Sequence, residues 1–146
     1  MNDVGRGLAY YIRTGVEYYN DAGVFVTYSG IDLPKVTEAI KVIVGQYARI
    51  RDEKVGEKEL SKAKESIKGQ MALGFEDSLN VGQFYGFGEL LENKIETFEE
   101  EIAHIDAVGS ADIARIAKRL IRRDKMSLAV VGPFKEKAAF EKLLKL

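Results

Sequence analysis

The sequence predicts an α+β domain on three observations: an alternating, tyrosine-rich segment followed by turn residues, several helical apolar stripes, and a short β-branched run near the C-terminus. From Leu8 to Tyr19, the residues Leu8, Tyr10, Ile12, Val16 and Tyr18 alternate with Ala9, Tyr11, Arg13, Glu17 and Tyr19, which is the period of a strand. Asn20, Asp21, Ala22 and Gly23 supply turn chemistry, and Val24 to Ile31 returns as a second β-rich run. The two arms should pair as an antiparallel hairpin. Asp32 is placed to cap a helix, Pro34 is tolerated in its first turn, and Val36, Ile40, Ile43, Tyr47 and Ile50 form one helical stripe.

After the charged connector Arg51 to Gly56, Leu60, Ala63, Ile67 and Met71 mark a second amphipathic helix, with Glu57, Lys58, Lys62 and Lys64 toward solvent. Between Gly69 and Glu92, Gly74, Gly82, Gly86 and Gly88 weaken a helix. Leu79, Phe84, Phe87, Leu90 and Leu91 nevertheless recur at near-helical spacing, so the segment reads as helical with a break near Glu76 to Ser78. Thr97 followed by Glu100 is a capping-box pattern for a helix reaching Ala107. Ser110 is placed to cap the next helix, with Ile113, Ile116, Ala117, Leu120 and Ile121 on one face. Met126 to Val131 reads as a buried strand, and Phe134 to Leu146 as a final helix. The expected architecture is an antiparallel sheet, built from the N-terminal hairpin and the C-terminal strand and packed against several helices in a single domain over residues 1–146.

Composition narrows the function classes. A formal charge of -1 gives no broad field for nucleic acid or acidic lipid. The basic residues Lys118, Arg119, Arg122, Arg123 and Lys125 crowd a helix end, where cations meet the negative end of the helix dipole, and no aromatic residues interleave with them for base stacking. No apolar run approaches the roughly 20 residues that span a bilayer. Neither nucleic acid nor membrane is therefore an expected partner. The absence of cysteine excludes disulfides, thiolate zinc sites and a cysteine nucleophile.

No set of residues completes a catalytic site. His104 is the sole histidine; with Glu100 one helical turn away it offers two ligands, short of the three protein ligands and water of a catalytic zinc. Gly82 to Gly88 is glycine-rich, but the Lys and Ser/Thr of a phosphate loop are missing, and no βαβ unit surrounds it. Catalytic residues and metal ligands in this chain are accordingly expected to be none.

What the sequence does carry is Arg6-Gly7-Leu8-Ala9-Tyr10-Tyr11 opening the first strand, and Glu57-x-Glu59-Leu60-x-x-Ala63-Lys64 with Lys68-Gly69. Further along come Ile105-Asp106-Ala107-Val108 ahead of Ile113-x-x-Ile116-Ala117, and Leu128-Ala129-Val130-Val131-Gly132-Pro133. In this order and spacing the chain resembles the C-terminal, non-zinc half-unit of the pitrilysin/insulinase zinc peptidases, the inverzincins, in their processing-protease-like branch. In that family a zinc-bearing half carries His-x-x-Glu-His and a distant Glu, and no such motif occurs here. The resemblance implies a non-catalytic, substrate-binding half of a zinc metalloendopeptidase that closes over peptide held by a separate zinc-bearing half. Under this reading the chain has no cofactor of its own, the zinc sits in the partner half, and the partners are that half and a peptide substrate. The alternative is an inactive scaffold or assembly subunit of the same fold.

Tyr10 matches the family's hairpin tyrosine, which lies near the bound peptide or the developing oxyanion, and Leu8, Ala9 and Tyr11 are the implied substrate-binding neighbours. Seven residues before Tyr10, where the family has an arginine, this chain has Asp3. The first strand and helix usual in such a half-unit are expected to be missing, and the sheet edge so exposed implies a homodimer in isolation. A soluble bacterial protein of the cytoplasm or periplasm is implied, with the compartment left open.

Overall fold

The computed structural model describes residues 7–19 and 21–145; Asp3, Arg6 and the turn residue Asn20 lie outside the described residues. The fold is α+β, and the chain divides into two compact units, one of Met1–Glu53 with Ile116–Leu146 and the other of Lys54–Arg115.

In the first unit, strands β1 (Ala9–Tyr18) and β2 (Gly23–Ile31) form the expected antiparallel hairpin. Its register runs from Tyr18 opposite Gly23 to Tyr11 opposite Gly30, then slips by one so that Ala9 faces Ile31 and Tyr10 has no partner. One extra residue on one strand is a β-bulge. The face carrying Thr14 and Thr27 is tied together by their hydroxyls at 2.8 Å, and Thr27 also bonds the Tyr47 hydroxyl on helix α1 (Val36–Asp52). Phe25 packs its ring 5.6 Å from that of Tyr47. The helix enters through a 3-10 turn at Leu33–Lys35, which accepts Pro34 because a proline needs no amide partner there. Val36, Ala39, Ile40 and Val44 are buried on α1, and Ile31, Met126, Phe140, Leu143 and Leu144 pack around Val36, Ile40 and Val44. The buried line thus steps by four residues from Val36, leaving Ile50 exposed at 38%, where the sequence pattern had placed it on the apolar stripe.

Two expectations in this unit are corrected. The run 126–131 is no strand of the sheet: among the described residues the sheet has two strands, β1 and β2. Met126 is extended and packs on the α1 cluster, but Leu128, Val130 and Val131 remain exposed. A hydrophobic run becomes a strand only where a neighbouring backbone meets its amides, and the hairpin does not reach it. The final helix is also short, α6 being Lys137–Glu141 rather than the whole of 134–146. Phe134 instead stacks edge-on to Phe140 at 5.0 Å and lies over Gly132, where a Cβ would meet its ring at 2.4 Å.

The second unit opens with α2 (Glu57–Gly74) and α3 (Ser78–Phe87), separated where the glycine pattern indicated. Asp77 caps α3, its Oδ1 accepting the amides of Leu79 at 2.8 Å and Asn80 at 3.2 Å. Phe75, in the break, gathers Phe84 at 5.0 Å and Phe98 at 4.7 Å. After a π-turn at Gly88–Glu92, α4 (Phe98–Ala107) begins with the expected capping box. Thr97 Oγ1 accepts the Glu100 amide at 3.2 Å, and Glu100 Oε2 accepts the Thr97 amide at 2.8 Å.

The solvent face of α2 is rotated from expectation. Lys64 donates to the Asp106 carbonyl at 2.7 Å and Lys68 to its Oδ1 at 3.0 Å, while Ile67 is 47% exposed. Both lysines place their ammonium groups on α4, which a hydrophobic count alone does not register. On α5 (Ser110–Leu120), Ser110 does not cap. Its hydroxyl donates to the Val55 carbonyl at 2.8 Å, and Asp112 accepts the Gly109 amide at 3.0 Å. Among the described residues no helix is long and apolar enough to cross a membrane.

Ile40 is 6% exposed at the centre of the α1 cluster. Truncation to alanine should cost roughly 2–5 kcal/mol, measured by urea denaturation, with the far-ultraviolet spectrum of the folded state retained. A loss below about 1 kcal/mol would mean that the cluster is not the core of this unit.

Candidate functional site

The residues singled out in the sequence converge at the open end of the hairpin. Gly7 holds a left-handed backbone (φ 61), a conformation in which a side chain is strained, and it turns the chain into Leu8 and β1. Its carbonyl accepts the ammonium of Lys35 at 2.8 Å, which pins the start of the strand to the entrance of α1. Leu8 and Ala9 are half-buried. The bulge then takes Tyr10 out of the pairing ladder and leaves it 78% exposed. Tyr11, 58% exposed, lays its ring across Gly30, where a Cβ would come within 2.5 Å of Cε1; Gly30 is therefore the residue that admits the aromatic side chain.

The phenol of Tyr10 donates to Asp32 Oδ1, and Lys35 lies 3.5 Å from Asp32 Oδ2. Asp32 thus makes no helix cap, the role its position suggested; its carboxylate is turned back onto β1. The bond to the carboxylate, reinforced by the negative charge itself, raises the Tyr10 phenol above its ordinary value. The same bond holds Asp32 below the ordinary carboxylate range against the opposing cost of burial, with lesser help from Lys35. A second phenol–carboxylate group lies further along the hairpin, where Glu17 accepts from Tyr28 and, at 3.1 Å, from Tyr19. Sequence reasoning found Tyr10 but not Asp32 or Lys35 as its partners. The signal available was Asp32-x-x-Lys35 directly after the strand that pairs with β1.

The second unit brings other polar groups together. Donor atoms of Glu96, Glu101 and His104 lie within 4.8 Å of one another. Glu100, the partner suggested for His104 by sequence spacing, is occupied by the capping box instead. This set does not suit a catalytic zinc: Lys94 already places its ammonium on Glu96 Oε1, and the imidazole side chain is 58% exposed on the helix surface. A largely apolar concavity of about 370 Å³ along α3, lined by Leu79, Phe87 and Leu90 with Ser78 and Gln83 as polar members, offers no acid or base for chemistry.

Residues 4–67, which contain the whole hairpin and α1, match the family described as the peptidase M16 inactive domain. The chain is 27% identical over 134 residues to an uncharacterized zinc protease of Streptomyces coelicolor, covering 92% of this chain and 29% of that protein. It is 28% identical over 128 residues to the uncharacterized zinc protease YmxG of Bacillus subtilis, covering 88% of this chain and 31% of the relative. The chain therefore spans about three-tenths of the length of the curated relatives it matches. Among solved structures, a conserved protein from Enterococcus faecalis superposes with a TM-score of 0.64 at 28% identity, over 78% of this chain and 26% of that one. Complex III2 from Candida albicans with Inz-5 bound shares the fold, with a TM-score of 0.69 at 21% identity over 76% of this chain and 27% of that one.

Zinc added to the isolated chain should be removed completely by dialysis against a chelator, because Glu96 must first give up Lys94 and His104 is open to water. One zinc per chain retained through that dialysis, and lost in His104→Ala, would establish a metal centre in this unit.

Proposed function

We propose that this chain, which belongs to the pitrilysin/insulinase-like (M16) zinc peptidase family as a C-terminal, inactive-domain unit, is the substrate-side half of a zinc endopeptidase whose metal is carried by a separate half. The observation that carries the reading is the opening of β1. The segment Gly7 to Tyr11 lies inside the region matching the inactive domain, and it presents two exposed tyrosines on a strand paired on one side by β2. Among the described residues β1 has no second neighbour, so its other edge carries amides and carbonyls able to receive an extended peptide. Leu8 and Ala9 supply backbone for that addition, while Tyr10 and Tyr11 flank it.

Metal chemistry, which activates a water for attack on a peptide carbonyl, belongs to the other half. The part assigned to this chain is to hold the peptide and to offer a phenol near the carbonyl that becomes charged. In the absence of the zinc-bearing half, the same edge of β1 should pair with a second copy of the chain as a two-fold dimer, detectable by sedimentation at micromolar concentration.

Mixing the chain with a zinc-bearing half from a relative should produce peptide cleavage that neither component shows alone and that a chelator abolishes. In that pair Tyr10→Phe should lower turnover by roughly 10²-fold, the cost of removing one oxyanion donor, with the thermal midpoint unchanged. Equal turnover would take Tyr10 out of the site. Stable association of the halves without any cleavage would replace the enzymatic reading with that of a scaffold subunit.

A further inference from the structure

We infer that Asp32 and Lys35 are positioning residues for Tyr10 that decide whether its phenol donates or receives a hydrogen bond. The inference rests on the reading of Tyr10 as a substrate-side group, and it concerns one proton. A neutral phenol has a single hydrogen to give and keeps lone pairs with which to accept. With that hydrogen committed to Asp32, Tyr10 faces solvent as an acceptor, suited to a peptide N–H and unable to donate to a developing oxyanion. For the phenol to donate elsewhere, Asp32 must hold it less tightly, and Lys35 is the cation within reach that can offset the carboxylate charge.

Lys35 is shared in the present arrangement. Its ammonium donates to the Gly7 carbonyl at 2.8 Å and stands 3.5 Å from Asp32 Oδ2, so a small movement of one flexible side chain converts a loose ion pair into a direct bond. The three groups therefore form a latch with two settings. In the first, Asp32 holds the Tyr10 proton and Lys35 holds the Gly7 carbonyl. In the second, Lys35 moves onto Asp32, offsets the charge that holds the phenol, and lets the hydroxyl turn to another acceptor. Because Gly7 opens the strand on which the peptide is proposed to lie, a substrate carbonyl or a strand shift that disturbs the Gly7–Lys35 bond would favour the second setting.

The latch has a defined pH window. Asp32 is held below the ordinary carboxylate range and Tyr10 is raised above the ordinary phenol range, so the ionised carboxylate and neutral phenol coexist over the whole interval between those ordinary ranges and beyond it at both ends. It is lost as pH falls through the depressed Asp32 value, when the carboxylate gains its own proton. It is lost again as pH rises through the elevated Tyr10 value. Among the described residues, the charged and titratable groups with assigned interactions at this phenol are Asp32, from the end of β2, and Lys35, from the entrance of α1.

The test is a titration of the chain labelled with [13C]tyrosine, followed by NMR, with the Tyr10 resonance assigned by its disappearance in Tyr10→Phe. Asp32→Asn should lower the Tyr10 pKa by removing the charged acceptor. Lys35→Met should raise it, because the carboxylate loses its competing cation. In the double variant the lysine substitution should lose most of its effect, since its influence runs through Asp32. A Tyr10 pKa that Asp32→Asn leaves unchanged, in a protein with the parent thermal midpoint, would overturn the latch, as would an effect of Lys35→Met that persists undiminished without Asp32. Failure of Tyr10→Phe to alter turnover in the reconstituted pair bears on the substrate role alone, so the two ideas can fall separately.

Discussion

Tyr11 can lie opposite Gly30 only because residue 30 has no Cβ, and that pairing sets the register of the hairpin at its open end. A slip by one residue would put a side chain under the ring. It would also take Thr14 from opposite Thr27, breaking the hydroxyl contact that links β1 to the Thr27–Tyr47 tie on α1. The bulge at Tyr10 follows from the same constraint. With Tyr11 anchored over Gly30 and Ala9 brought opposite Ile31, one residue more is present on β1 than β2 can match, and Tyr10 is the one extruded. Its reach to Asp32 is thus a consequence of backbone pairing several residues away.

Electrostatics at this end of the molecule arrange side chains more than they stabilise the fold. Tyr10 is exposed and Asp32 and Lys35 are half-buried, and ion pairs so open to solvent are weakened by water and by the entropy of holding long side chains. Apolar stabilisation in this unit comes from Val36, Ile40 and Val44 on α1 and the residues packed around them. A side-chain arrangement that contributes little to folding can change partners at little cost. The rigid parts, the Gly30–Tyr11 contact and the threonine–tyrosine ties, determine where Tyr10 is presented. The exposed parts determine what it does there.

Much of the fold was legible because its signals are local. Alternation located both strands, the glycines marked the break between α2 and α3, and Thr97 with Glu100 announced α4. What could not be read were outcomes decided at a distance. The apolar run 126–131 looks like a buried strand until one asks whether a backbone is available beside it. Lys64 looks solvated until Asp106 is found opposite it, and Asp32 looks like a helix cap until the bulge brings Tyr10 into its range. Leu8, Ala9, Tyr10 and Tyr11, the residues proposed for the site, share the open end of the hairpin. Their hydrogen-bonding partners were not legible, because a bulge is a mismatch between two strands and neither strand shows it alone.

This limits what a resemblance between sequences can transfer. A tyrosine matched to a family position carries over the type of group and its approximate place, and so supports a role beside a peptide. It does not carry over the direction of the hydrogen bond, since the phenol is both donor and acceptor and the neighbouring group decides between the two. An acidic neighbour such as Asp32 claims the proton, whereas a neutral or basic one would leave it available to a developing oxyanion. The residue after β2, which enters no family motif quoted for this chain, therefore bears on the chemistry of Tyr10 as directly as the identity of Tyr10 itself, and the hairpin register is what brings the two within reach.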